Sequence, residues 1–303
     1  MPISISPFKN DKIDVTFPVS PSMREPINAK LYKLSETRYL GCKFFNDRKN
    51  LPSFRYGNRY PFDIPVKDSF HKVFIFIYPR CLSHNFAKLS FNPSKLDRKG
   101  KTVFRKLLIN IFGIEIVRKI YFEGRLSRID IAIDNYDIDG TGYMYMKSAS
   151  TSIIYREDNK ITGQVIGSEK SNISTKLYDK ALEQELDLDE EEFDSWHRLE
   201  MQVRNIDVSM SELAKKLHNH FNRVCFYDDS FLTDPYFDKA FRYKAREEGL
   251  NAAFHKMDRN NRKRYMERLN KHYICYPFEL EEMCLDDFMQ SIKFLKSSKY
   301  QSS

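Results

Sequence analysis

Three segments of this chain alternate apolar and charged residues with period two, and that pattern dictates a sheet with two unlike faces. In residues 128–134, Ile129, Ile131 and Ile133 share one side, while Arg128, Asp130 and Asp134 share the other. In residues 197–204, Leu199, Met201 and Val203 oppose Arg198, Glu200, Gln202 and Arg204. In residues 176–181, Leu177 and Ala181 oppose Lys176, Tyr178 and Lys180, and Asp179 interrupts the apolar side at the expected strand end. Placed side by side, these strands give one face bearing Asp130, Asp134, Glu200, several cations and a tyrosine. An exposed sheet face of mixed charge is the ordinary reason for such a pattern. Here, however, each strand brings an acid or a tyrosine with a base two residues away. That composition suits a phosphodiester. Carboxylates on separate strands can hold a hard divalent cation, which polarises the phosphate. Lys and Arg stabilise the developing charge, and a tyrosine can attack.

The rest of the chain places these strands in an α+β fold. The first 60 residues are expected to be irregular, because Pro2, Pro7, Pro18, Pro21, Pro26 and Pro52 punctuate them. Residues 54–60 interleave Phe54, Tyr56 and Tyr60 with Arg55 and Arg59, which reads either as a stacking strip for single-stranded nucleic acid or as an ordinary loop. Residues 72–78 and 86–91 read as paired strands. Residues 102–112 read as a helix with Phe104, Leu107, Leu108 and Ile111 on one face and Gly113 as its cap. Strands follow at 127–135, 151–156, 161–166, 175–181 and 197–204, then a helix at 210–221. The acidic stretch 183–194 reads as a solvated surface. From about Asp207 the chain becomes mainly helical. Residues 259–271 form a basic helix, with Arg262 and Arg264 among its cations and Met257, Tyr265, Leu269 and Tyr273 on its apolar side. It either lies on DNA phosphates or packs as a solvated amphipathic helix. The expected architecture is a twisted, mainly antiparallel sheet with the site on one face and helices on the other, followed by a mostly helical C-terminal part. The expected division is an irregular segment at 1–60 packed on the core, a catalytic domain at 61–222, and a helical region at 223–303 that is a candidate for DNA binding.

Composition narrows the function classes. Across 303 residues, 41% hydrophobic and 14% aromatic content supplies a core, which argues against extended disorder. Lys and Arg number 50 against 42 Asp and Glu, a formal charge of +8 that permits a nucleic-acid partner. The apolar run at Val73–Ile77 is far short of the ~20 residues a membrane helix needs. Met1, Pro2, Ile3 and Ser4 lack a signal-peptide pattern. The five cysteines are scattered, without a CxxC pair. A reducing, cytoplasmic setting without a membrane partner is expected. No Walker loop is present, which argues against a built-in ATPase.

Residues 127–134, with Arg128, Asp130 and Asp134, resemble the first core motif of the Rep_trans rolling-circle replication initiators, a family that includes plasmid and phage initiators and nickases of some integrative conjugative elements. Gly167, Ser168 and Ser171, followed by Tyr178, Asp179, Lys180 and Glu183, resemble its Gly-Ser-x-x-Ser, Tyr-Asp-Lys and Glu motif. Residues 196–204 resemble its Arg-x-Glu strand, with Arg198 and Glu200. Asn92, Pro93 and Ser94 are similar to a stretch in some phage initiators. The resemblance spans about residues 121–205. The chain departs from the pattern at Glu169, where a basic residue is common, and at Lys176 and Leu177, which replace an Arg-aliphatic pair.

The resemblance implies an origin-specific DNA nicking and joining endonuclease that keeps the 5′ phosphate as a phosphotyrosine and leaves a 3′-hydroxyl primer. It implies Tyr178 as nucleophile, Lys180 and Arg198 as phosphate-contacting cations, and Asp130, Asp134 and Glu200 as ligands of Mg²⁺ or Mn²⁺. Arg128, Lys176, Arg204, Arg262 and Arg264 are the DNA-contacting candidates. Expected partners are double- and single-stranded origin DNA, a host helicase and polymerase, and a second copy of the chain. A phenol with an ordinary pKa near ~10 needs a cation beside it to react near neutrality. Among 18 tyrosines, Tyr136 lies in an expected turn, and Tyr155 lies in a strand with few cationic neighbours. His218 and His220, two apart in a helical pattern, point about 160° from each other and cannot form a strand-type metal clamp. His197 is a minor candidate. Three other readings remain: a conjugative relaxase with the same chemistry, a non-catalytic DNA-binding replication or copy-control protein, and a metal-dependent nuclease that uses water.

Overall fold

The computed structural model describes residues 9–37, 39–44, 56–79, 85–136, 142–158, 160–168, 170–188, 191–209, 212, 223–274 and 290–296. They form an α+β protein whose registered strand pairs are all antiparallel. The chain divides into two compact units. One comprises Lys9–Asp130, Arg204–Lys216 and Cys284–Ser303; the other, the Tyr178 unit, comprises Met1–Phe8, Ile131–Val203 and Leu217–Met283.

In the first unit the strands are β1 (Lys9–Pro18), β2 (Lys43–Phe44), β3 (Tyr56–Pro65), β4 (Phe70–Pro79), β5 (Phe86–Phe91) and the start of β6 (Arg125–Tyr136). Their order is β2-β3-β4-β5-β1-β6. Ile13, Val15 and Phe17 of β1 alternate inward and are buried, as are Val73, Ile75 and Leu89. Three helices accompany them: α1 (Pro21–Glu36), α2 (Arg98–Phe112) and α3 (Ile114–Glu123). Helix α2 buries the expected stripe of Phe104, Leu107, Leu108 and Ile111. Asp97 caps its start by accepting the Gly100 N–H at 2.6 Å. Gly113, at φ +86°, ends α2 and starts α3, a conformation that a side chain would strain.

The proline-rich N-terminal part is not irregular. Its described residues hold β1, α1, β2 and the start of β3; two of its prolines fall where they are tolerated, Pro26 is accommodated inside α1, and Pro2, Pro7 and Pro52 lie outside the described residues. Pro18 ends β1, and Pro21 sits in the first turn of α1, where no N–H is needed. Of the basic-aromatic stretch 54–60, the residues from Tyr56 onward belong to β3 and the first two lie outside the described residues.

In the Tyr178 unit, the end of β6 is followed by β7 (Tyr143–Met146), β8 (Ser152–Glu157), β9 (Lys160–Ile166), β10 (Ile173–Asp179) and β11 (Trp196–Ser209). The main sheet here runs β6-β11-β10-β9-β8, with β8 at the edge. A second sheet, in the order β13-β12-β7, includes β12 (Val224–Tyr227) and β13 (Tyr273–Ile274). The helices are α4 (Lys180–Glu183), α5 (Lys239–Glu248), α6 (Leu250–Phe254) and α7 (Arg259–Leu269). An aromatic core of Tyr143, Tyr145, Tyr227, Phe231, Phe237, Phe241, Phe254 and Tyr265 joins α5–α7 to the small sheet, and Ile154 and Ile161 of the main sheet pack against it. Buried polar side chains fix this layer. Asn251 accepts the Met146 N–H at 3.0 Å and donates to the carbonyls of Met146 and Ala149 at 2.7 and 2.8 Å. Gln164 accepts the Met144 N–H at 3.0 Å and donates to the Gly142 carbonyl at 2.7 Å. The helical layer therefore covers the face of β8–β9 that carries Ile154 and Gln164. The helix expected at 210–221 and the pair His218 and His220 lie outside the described residues. No helix among the described residues is long and apolar enough to cross a membrane.

Candidate active site

Strand register assembles the site. Across β10 and β11, Tyr178 is opposite Arg198, Lys176 is opposite Glu200, and Asp179 is opposite His197. Directly opposed residues of an antiparallel pair share a face, so Lys176, Tyr178, Arg198 and Glu200 lie on one side. Leu177 and Leu199 lie on the other, fully buried. This is the split that the alternation predicts. Lys176 is exposed, Tyr178 and Glu200 are half-buried, and Arg198 is buried.

Asp134, at the far end of β6, is completely buried. It accepts from Arg198 Nε at 2.6 Å and from Nη2 at 2.9 Å, a bidentate pair that fixes the plane of the guanidinium. The same guanidinium lies 5.9 Å from the Trp196 ring centroid. Trp196 stacks on Tyr136 at 5.7 Å, and Phe193 closes the aromatic group at 4.9 Å from Tyr136. Tyr136 is thus the last residue of β6 rather than part of a turn.

Strand β10 ends where Asp179 changes role. Its side chain accepts the Leu182 N–H at 2.9 Å and so caps the short helix α4. Lys180 is consequently the first residue of α4 and not a strand residue, yet it stays beside the tyrosine. Its Nζ lies 5.7 Å from the Tyr178 ring centroid. Lys180 is buried and ion-paired to Glu183. Burial tends to raise the Glu183 pKa. The hydrogen bonds from Lys180 and Gln184, with the charges of Lys180 and Arg198, outweigh it and hold that carboxyl below its ordinary value. Glu183, Trp196 and Tyr136 join the site although their roles are not legible in the alternation. The signal for Glu183 is its i, i+3 spacing from Lys180. For the aromatic pair, only the sheet register reveals the contact. His197 points away from Tyr178, and burial lowers its pKa.

The remaining expected residues behave differently from one another. In the first unit, Arg128 pairs with Asp130 two residues along the same strand, through Nε at 2.7 Å and through Nη2. Arg204 also belongs to that unit. In α7, Arg262 donates to the Tyr145 hydroxyl at 2.9 Å and so anchors the helix to the aromatic core, whereas Arg264 is exposed. Arg268 is bonded to Asp234 at 2.6 Å, and this contact holds the Asp234 carboxyl well below the usual range. Tyr273, expected on the apolar side, is 53% exposed.

Asp134 and Glu200 belong to the Tyr178 unit, and Asp130 belongs to the first unit. Both oxygens of Asp134 accept from Arg198, and both oxygens of Asp130 accept from Arg128. Among the described residues, no group of three or more His, Cys, Asp or Glu side chains comes together as a metal site. Nor does the large cleft of the Tyr178 unit, about 1490 Å³, include Tyr178. In that cleft Arg156, Lys160, Lys239, Arg242 and Arg246 face Glu157, Asp158, Asp179, Asp228 and Asp229, a balance of charge unsuited to gripping a polyanion.

No protein-family model matches this sequence, and no curated protein matches it. Among solved structures, the chain is similar to a rolling-circle replication initiator protein from Geobacillus stearothermophilus, with a TM-score of 0.39 and 16% identity. That alignment covers 74% of this chain and 87% of the other.

Proposed function

We propose that this chain is a DNA strand transferase of the rolling-circle initiator type, with Tyr178 as its nucleophile. The observation that carries this reading is the Tyr178–Arg198 cross-strand pair with Lys180 above the tyrosine ring. A tyrosine with a lysine over its ring and an arginine directly across the ladder suits attack on phosphorus. In the proposed step the Tyr178 oxygen forms a bond to the phosphorus and its proton passes to solvent. The bond from phosphorus to the 3′ oxygen breaks, and that oxygen leaves as a hydroxyl after taking up a proton. The 5′ phosphate stays on the tyrosine, and joining is the reverse reaction. Arg198, held in plane by Asp134, and Lys180 balance the charge that builds on the equatorial oxygens. No step is routed through a metal. The resemblance at residues 127–134, 167–183 and 196–204 supports an origin as the substrate.

A second reading is a DNA-binding replication protein without nicking activity, in which the Arg198–Asp134 and Arg128–Asp130 pairs are purely structural. The deciding experiment uses single-stranded oligonucleotides tiled from the chain's own gene and flanks, with Mn²⁺, on a denaturing gel. A protein–oligonucleotide adduct that disappears in Tyr178→Phe supports strand transfer. Cleavage without an adduct indicates a water-using nuclease, and retention without cleavage indicates the binding protein.

A further inference from the structure

The Tyr178 row extends beyond Arg198 in the other direction. Tyr178 is opposite Gly163 on β9, and Gly163 is opposite Tyr155 on the edge strand β8. Tyr155, Gly163, Tyr178 and Arg198 therefore form one line across four strands, on the face not covered by the helical layer. The next row on this face is Ile153, Val165, Lys176 and Glu200. Ile153 and Tyr155 are 51% and 52% exposed. Two large apolar side chains thus stand in solvent at the edge of a cationic site.

Gly163 explains how the two parts connect. Its φ lies outside the left-handed region, so the backbone does not demand glycine. A Cβ there would meet the Tyr155 ring at 3.5 Å and the Tyr178 Cβ at 3.6 Å, both ordinary contacts. An alanine would fit, and it would fill the notch between the two tyrosines. Glycine within a strand often marks a close approach by a ligand.

We propose that Tyr155 is a stacking platform for an unpaired nucleobase of single-stranded DNA next to the phosphate presented to Tyr178. The inference rests on the strand-transfer reading of Tyr178. The sugar-phosphate backbone crosses the Gly163 notch, the neighbouring base lies on the Tyr155 ring beside Ile153 and Val165, and Lys176 faces the backbone. The observations favour single-stranded DNA over duplex, because an aromatic platform takes a base only when its face is free. The hydroxyl of Tyr155 plays no part.

The test is anisotropy of fluorescein-labelled oligo-dT with the full chain in a Tyr178→Phe background, so that no covalent product forms. Tyr155→Ala is expected to weaken binding about tenfold, and Tyr155→Phe and Tyr155→Trp to restore it. Gly163→Ala is expected to weaken binding with no fall in Tm. An oligonucleotide with one abasic position is expected to lose the same factor on the Tyr155 protein and nothing more on Tyr155→Ala. Unchanged affinity in Tyr155→Ala overturns the proposal, as does a loss in Tyr155→Phe equal to that in alanine. Equal Tyr155 dependence for a duplex probe also overturns it. If the Tyr155 effects appear but the Tyr178 protein forms no adduct in the tiling assay, the strand-transfer reading fails and the base platform stands. An adduct with no Tyr155 effect has the opposite meaning.

Discussion

Arg198 stands directly across the β10–β11 ladder from Tyr178, and Asp134 grips its guanidinium through two hydrogen bonds. The consequence is a cation whose plane is set by the fold itself, ahead of any binding of the proposed DNA substrate. Lysine keeps the charge but cannot make the bidentate grip. Arg198→Lys is therefore expected to slow adduct formation on the suicide oligonucleotide by about 100-fold. Its affinity for uncleaved DNA should change little, and single-turnover kinetics against a binding isotherm separates the two.

Asp134 is the buried anchor of that pair. Asp134→Asn leaves the Arg198 charge uncompensated in an environment where both side chains are below 10% exposed. The expected loss is about 3 kcal/mol of stability, measured by urea unfolding near neutral pH. Glu183→Gln, at a side chain that is half exposed but paired with buried Lys180, is expected to cost less than Asp134→Asn on the same measurement.

His71 in β4 gives a pH signature. Burial is the main cause that lowers its pKa to about 4, and the charge of Lys95 adds to it. Above pH ~6.5, the ordinary histidine value, both folded and unfolded states are neutral at this site and it contributes nothing. As the pH falls from 6.5 towards 4, the unfolded chain takes up the proton first, so stability drops. Below 4 the loss is complete, at most about 3 kcal/mol. His71→Gln should flatten the urea midpoint between pH 6.5 and 4.

Because arginines occupy the carboxylates of Asp134 and Asp130, Mn²⁺ is expected to leave the Tm of the DNA-free protein unchanged relative to EDTA. Thermal unfolding monitored by circular dichroism checks this. A rise in Tm with Mn²⁺ would mean that the guanidinium pairs yield to the cation.

Asn251 is expected to matter as much as a core residue. Asn251→Ala leaves the Met146 N–H and carbonyl and the Ala149 carbonyl without their partner in a buried site. A loss of about 3 kcal/mol is expected, read as a lower urea midpoint.

The sheet of the Tyr178 unit was largely legible in the sequence because its strands alternate cleanly. Ile129, Ile131 and Ile133 against Asp130 and Asp134 could fit only a two-faced strand, and Leu177 and Leu199 fixed which way Tyr178 and Arg198 point. Helix α2 was equally clear from Phe104, Leu107, Leu108 and Ile111. The proline-rich start reads as irregular because a proline in a first helical turn, such as Pro21, carries the same local signal as one in a loop. Strand β7 escaped notice because Tyr143, Met144, Tyr145 and Met146 are all buried, which removes the alternation. Within the site, local spacing signals the Lys180–Glu183 and Arg128–Asp130 pairs but not the long-range one. Asp134 pairs with Arg198 across 64 residues of sequence, and no local spacing announces such a contact.

The cap at Asp179 has one more consequence. By accepting the Leu182 N–H, Asp179 ends β10 and starts α4 directly after Tyr178, whose register against β11 places it opposite Arg198. A slip of one residue would turn Tyr178 into the hydrophobic interior and bring Asp179 to the opposite face. There is no half-displaced arrangement in which the tyrosine reaches phosphate weakly. Under the strand-transfer reading the ladder would make reactivity a two-valued property, and a chain with slipped register would be expected to form no adduct.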